Sequence, residues 1–158
     1  MTDAPIRIRL AEAEDDAFIL GLAERFTGFE LPAWRKRGET TAGIRRDIER
    51  HLREQPPNSY MFVAEDDDGE RVGFLHLQKV VDFFTGQPNC HISDLAVAPS
   101  REGQGIGRAL LAYADAWARE HHCKLVTLAA FPGNERARGL YEKHGFGVDL
   151  LRLAKAVK

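Results

Sequence analysis

A mixed α/β fold in a single domain is what this sequence predicts, on three observations. Strand-like and helix-like runs succeed one another from residue 5 onward in the order β-α-α-β-β-β-α-β-α-β. Asp67-Asp68-Gly69 stands between two apolar runs, which signals an antiparallel hairpin. In "CHISDLAVAPSREGQGIGRALL" a strand, a glycine-rich turn and a helix follow directly on one another.

Each element has its own reason. "PIRIRL" alternates apolar and charged residues, as a half-buried strand does. "AEAEDDAFILGLAERF" is acidic at its start and carries arginine near its end, which suits the helix dipole. "TGFELPAWRKRGE" mixes Gly, Pro, aromatics and charge and reads as a loop. Ile44, Ile48 and Leu52 recur every four residues in a second helix stopped by Pro56 and Pro57. The hairpin strands lie in "SYMFVAEDDDGERVGFLHLQKV", and a second loop follows with Phe83 and Phe84. "CHISDLAVAP" is a strand ended by Pro99. Ile106, Leu110, Tyr113, Ala114 and Trp117 form the apolar stripe of a third helix. "KLVTLAAF" reads as a buried strand, "NERARGLYEKHGF" as a helix with a glycine stop at Gly145, and "GVDLLRLAKAV" as a last strand.

Composition narrows the function classes. A chain of 158 residues predicts one domain over 1–158, and 44% hydrophobic with 29% charged residues is an ordinary globular balance. A formal net charge of −2 speaks against a general nucleic-acid binder. The apolar runs are strand-sized, so neither a membrane span nor a signal segment is expected. Cys90 and Cys123 make neither a disulfide framework nor a zinc pattern, which suits reduced thiols and a cytoplasmic setting. His121, His122 and Cys123 are sequence neighbours and do not share a helix face, so no metal is expected there.

Gly103, Gly105 and Gly107 run into a helix N-terminus, where free N–H groups and the dipole favour an anion by about 0.3–1 kcal/mol per charge. A P-loop would end in Gly-Lys-Ser/Thr, whereas this turn ends in Gly107-Arg108-Ala109. A dinucleotide fingerprint needs G-x-G-x-x-G and a later acid, and "KLVTLAAF" carries none. The phosphate turn of an acyl-coenzyme A site is the third reading. A tight turn without a ligand is the plainer one.

"NERARGLYEKHGF" has the pattern N-x-x-A-x-x-L-Y-x-x-x-G-F, about thirty residues after the glycine turn. Together with "HISDLAVAPSREGQGIGRALL", it makes the chain resemble the GNAT superfamily of N-acetyltransferases. The resemblance implies the acyl-CoA N-acyltransferase fold, acetyl-CoA as cosubstrate and no metal. It also implies an amine acceptor on a small molecule or peptide, and by family analogy a homodimer. A non-catalytic acyl-CoA sensor or interaction module is the alternative.

Carried over residue by residue, the resemblance puts the pantetheine arm along Leu95, Ala96 and Val97. The pyrophosphate falls to the turn Gly103, Gln104, Gly105, Ile106, Gly107 and Arg108. Family members often have Arg or Gln where this chain has Glu102. That carboxylate is expected to point to solvent, with Arg101 or Arg108 supplying positive charge. Asn134 matches an asparagine near the cosubstrate, and as Asn after Pro-Gly it also suits a helix N-cap. Tyr141 matches a tyrosine near the sulfur, where a phenol of pKa about 10 can protonate a departing thiolate.

The base is less determined. An amine of pKa about 10.4 must lose a proton at a cost of about 4–5 kcal/mol at pH 7. Strict alternation puts His91, Ser93, Leu95 and Val97 on one strand face and Ile92, Asp94 and Ala96 on the other. His91 is then the first candidate, with water as its alternative. Asp94 qualifies only if a bulge near Leu95 breaks the alternation. Cys90 lies opposite His91 on this reading and carries no nucleophile motif. Trp34, Phe83 and Phe84 lie in loops that line the acceptor pocket or cover the core.

Overall fold

The computed structural model describes residues 5–158, so the first four residues of the expected domain lie outside the description. Its sheet has five strands in sequence order: β1 (Ile6–Leu10), β2 (Ser59–Asp66), β3 (Arg71–Val81), β4 (Pro88–Val97) and β5 (Val126–Leu128). The first four pair antiparallel and β4 pairs parallel with β5. The helices are α1 (Asp16–Gly21), α2 (Arg37–Glu54), α3 (Ile106–Glu120) and α4 (Glu135–Lys143).

The hairpin between β2 and β3 turns as the sequence predicts. Gly69 has φ +79°, and Asp66 Oδ1 accepts the N–H groups of Asp68 and Glu70. The first helical run is shorter than expected. Residues 11–26 break into 3-10 turns on either side of the six-residue α1. The last predicted strand does not form: residues 147–158 carry no helix or strand, and Leu150, Leu151 and Leu153 are exposed. β-Branched residues are scarce there, and its lysines and alanines favour neither sheet face.

Each face of the sheet carries an apolar cluster. Phe62, Leu75, Leu77, Ile92, Ile106, Leu110 and Trp117 belong to the layer under α3. Ile19, Leu22, Ile48, Val63, Phe74 and Ala96 belong to the layer under α1 and α2. Cys90 is fully buried in the first cluster, where burial pushes its thiol up to about 12 and disfavours the thiolate.

Two irregularities of β4 shape the molecule. Its register on β3 runs Leu77↔Ile92 and then His76↔Asp94, so Ser93 is an extra, bulged residue. Its pairing with β5 covers only Cys90↔Val126, His91↔Thr127 and Ile92↔Leu128. Beyond Ile92 the two parallel strands separate. A cleft opens there.

Candidate active site

The cleft has a volume of about 810 Å³, the scale of sites that hold ligands larger than a single amino acid. One wall is β4 from Ile92 to Val97, and the other runs from Leu128 to Phe131 and on through α4 to Tyr141. Its floor is the glycine turn and the first residues of α3. Residues 94–97 keep their register with β3 but have no strand partner on the β5 side. Their outward backbone groups can therefore pair with an extended amide-bearing ligand.

The turn itself is built by conformation. Gly103 and Gly105 both have φ +80°, the left-handed region that side chains avoid, and Gly105 is the N-cap of α3. No side chain caps that helix, and no atom lies within 4 Å of where a Cβ on Gly103 would project. This is open, donor-rich space suited to a diphosphate. Gly107 serves another purpose: a Cβ there would stand 3.0 Å from Leu140 Cδ2, so its absence lets α3 pack on α4. Gln104 is not in the cleft wall, and its Oε1 accepts from Arg101 Nε at 3.0 Å.

Charge in the cleft departs from expectation at Glu102. Its carboxylate does not point to solvent. It lines the cleft and bridges Arg25, which follows α1, and Arg136 on α4, the latter at 2.5 Å. Arg101 also lines the cleft, yet it is tied to Asp66 Oδ2 at 2.8 Å. Arg108 and Lys143 complete the cationic wall.

Tyr141 and Asn134 both line the cleft. The Asn134 side chain accepts from Ala137 N at 3.4 Å, so it caps α4 from the same position. Burial pushes the Tyr141 phenol up, which keeps it protonated and a donor at neutral pH. Its ring packs edge-on against Phe146 at 5.8 Å.

The bulge decides which β4 side chains enter the cleft. Before it, Cys90 and Ile92 belong to the α3 layer; after it, Leu95 and Val97 pack there and Ala96 joins the α2 layer. The expected alternation is thus inverted beyond Ser93. His91 no longer shares a face with Leu95, and Asp94 does not share one with Ile92. His91 sits in the paired part of β4, outside the cleft wall, with Nδ1 2.8 Å from Thr127 Oγ1. Burial pushes its imidazole below the usual range. Asp94 lines the cleft at 9% exposure, with Oδ2 2.8 Å from His76 Nδ1.

On the α2 side the wall is aromatic, with Phe26, Phe29 and Phe131 beside Ile44. Phe29 and Phe131 lie 6.1 Å apart, and Gly133 is pressed so close to the Glu30 carbonyl that no side chain fits there. Sequence reasoning missed these three phenylalanines, because nothing local separates them from Phe83 and Phe84. The latter two are 92% and 70% exposed and contribute nothing to the cleft. Trp34 lines a smaller adjoining depression that shares Ile44 and Phe131. Among the described residues no cluster of His, Cys, Asp or Glu forms a metal site, and no helix is long and apolar enough to cross a membrane.

The site thus combines a splayed pair of parallel strands, a glycine turn at a helix start, and Asp94 and Tyr141 in one cleft lining. The model of the acetyltransferase (GNAT) family matches residues 12–146, and the chain belongs to that family of acetyl-CoA-dependent enzymes. Over 144 residues, 91% of each chain, it is 29% identical to the uncharacterized N-acetyltransferase YhfO of Bacillus subtilis. It is 32% identical over 89 residues, 54% of this chain and 58% of the relative, to an aminoglycoside N(6')-acetyltransferase type 1 of Stenotrophomonas maltophilia. The ribosomal-protein-alanine N-acetyltransferase of Brucella melitensis shares its fold at a TM-score of 0.69 and 20% identity, over 97% of this chain and all of that one. The enzyme AAC(6')-Iy, solved with a bisubstrate analogue of coenzyme A, does so at 0.68 and 19%, over 98% and 99%.

Proposed function

We propose that this acetyltransferase moves the acetyl group of acetyl-CoA directly to a primary amine of a small molecule or peptide, with Asp94 as base and Tyr141 as acid. The observation that carries the reading is the bulge at Ser93, beyond which Asp94 lines the same cleft as Tyr141. Backbone groups of Leu95, Ala96 and Val97 pair with the pantetheine amides, and the N–H groups of residues 103–108 hold the pyrophosphate. Two positive-φ glycines and an uncapped α3 suit that load.

In the reaction the ammonium gives one proton to Asp94, directly or through water. The free amine attacks the thioester carbon, and a new C–N bond replaces the C–S bond. A backbone N–H near Leu95 steadies the developing oxyanion. Tyr141 gives its proton to the leaving sulfur and recovers one from the acetylated nitrogen. One proton is released to solvent per turnover. The aromatic wall of Phe26, Phe29 and Phe131 receives the acceptor. Relatives carry names for an aminoglycoside and for a ribosomal-protein alanine, and on this reading the choice of acceptor falls to that wall.

The test is an amine panel (aminoglycosides, polyamines, amino acids and peptides with free N-termini) incubated with acetyl-CoA and the purified protein. Amine-dependent thiol release together with an acetylated product by mass spectrometry is expected. Coenzyme A binding with no amine-dependent release across the panel would instead support a sensor or interaction module.

A further inference from the structure

A chain of buried polar groups leads away from Asp94 into the α2 layer. Asp94 Oδ2 is 2.8 Å from His76 Nδ1, and His76 Nε2 is 2.8 Å from Ser59 Oγ. The same hydroxyl is 2.8 Å from His51 Nδ1, and His51 Nε2 is 3.2 Å from Arg50 Nη2. His76 is wholly buried and His51 is 6% exposed, and the two rings meet edge-on at 4.7 Å. Three unrelated elements supply these groups: α2, the start of β2, and the middle of β3.

The direction of this chain follows from its outer end. A guanidinium only donates, so His51 Nε2 accepts from Arg50 and carries no proton. Neutral His51 then holds its proton on Nδ1 and donates to Ser59 Oγ. The Ser59 hydroxyl in turn donates to His76 Nε2, which leaves the His76 proton on Nδ1, aimed at Asp94. Asp47 Oδ1, the acid nearest the outer imidazole, stands 3.7 Å from His51 Nε2, beyond hydrogen-bond distance. Burial, and then His76, push the His51 imidazole toward its neutral form, in keeping with this order.

We infer that His51, Ser59 and His76 are positioning residues that lock both imidazoles as Nδ1–H tautomers and so fix Asp94 as an acceptor, leaving Oδ1 to take the amine proton. The inference rests on the reading of Asp94 as base. Without Ser59 the His76 ring is free to change tautomer or flip, and the acceptor atom of Asp94 is no longer defined. The array orients the carboxylate and does not itself touch substrate.

Histidine side-chain ¹⁵N spectra of the intact wild-type protein at neutral pH test the tautomers without reference to activity. His51 and His76, assigned by the loss of their signals in His51→Gln and His76→Asn, should both show protonated Nδ1 and bare Nε2. A bare Nδ1 on either ring, or an imidazolium at His76, would overturn the inference. In kinetics, Ser59→Ala should lower kcat about 3- to 10-fold at unchanged KM for acetyl-CoA and shift the His76 tautomer; no change in either refutes the array. His76→Asn keeps an N–H donor toward Asp94 and should retain most of the kcat that His76→Leu loses, about 10- to 100-fold, as for other outer-shell partners. Equal losses in the two variants would contradict the role. If Asp94→Asn leaves kcat intact while the tautomers are as assigned, the base reading fails and the hydrogen-bond order stands.

Discussion

Asp94 Oδ2 and His76 Nδ1 lie 2.8 Å apart across the β3–β4 register, at the point where the Ser93 bulge reverses the faces of β4. On the proposed mechanism this carboxylate, held on one oxygen by a buried imidazole and lining the cleft, serves as an oriented base. The consequences for the rest of the site can be measured.

Tyr141→Phe removes the phenolic donor and leaves the ring packed against Phe146. The kcat should fall by about 10²–10⁴-fold while coenzyme A affinity changes little. Steady-state kinetics beside calorimetric binding separate the two. An unchanged kcat would take Tyr141 out of the chemistry.

Glu102 pairs with Arg25 and Arg136, which line the cleft proposed to hold the pyrophosphate. Glu102→Gln should tighten coenzyme A binding by about 3- to 10-fold at low salt, the scale of one or two exposed ion pairs. The gain should shrink as ionic strength rises. Weaker binding would mean that the carboxylate organises Arg25 and Arg136 and does not compete with the ligand.

His91 is bonded to Thr127 outside the cleft wall. His91→Gln should keep kcat within about threefold and leave the shape of the pH–rate profile unaltered. Loss of its acidic limb would restore His91 as base.

Asp15 is buried beneath Arg9 and Arg71, with Arg9 Nη1 2.8 Å from Oδ2. The hydrogen bond from Arg9, joined by that from Arg71, holds its carboxyl well below the usual range. A depressed folded-state pKa gives stability that is present above the unfolded value of about 3.9 and lost as pH falls below it. Asp15→Asn should therefore cost about 3 kcal/mol in urea unfolding at pH 7. The difference from wild type should narrow as pH drops below about 4.

Much of the cleft lining was legible in the sequence, and the part that was not has a physical reason. Gly103 and Gly105, Asn134 and Tyr141 are local signals: turn conformation, capping and motif spacing each leave a mark within a few residues. Which of His91 and Asp94 lines the cleft turned on one inserted residue in β4. Period-2 alternation cannot see that insertion, because a bulge is set by the pairing with β3 and not by the strand alone. Phe29 and Phe131 meet only because the loop at Glu30 closes on Gly133, a contact between distant segments. The tail from 147 onward looked like a strand from its leucines, yet apolar content without a partner edge does not make one.

The most direct test of the account is kcat for Asp94→Asn, with an amine found by the panel and acetyl-CoA affinity measured in parallel. Asparagine is nearly isosteric and cannot accept the amine proton as a carboxylate does. The account predicts a fall in kcat of about 10²–10⁴-fold with acetyl-CoA affinity preserved. A kcat within about threefold of wild type would contradict it.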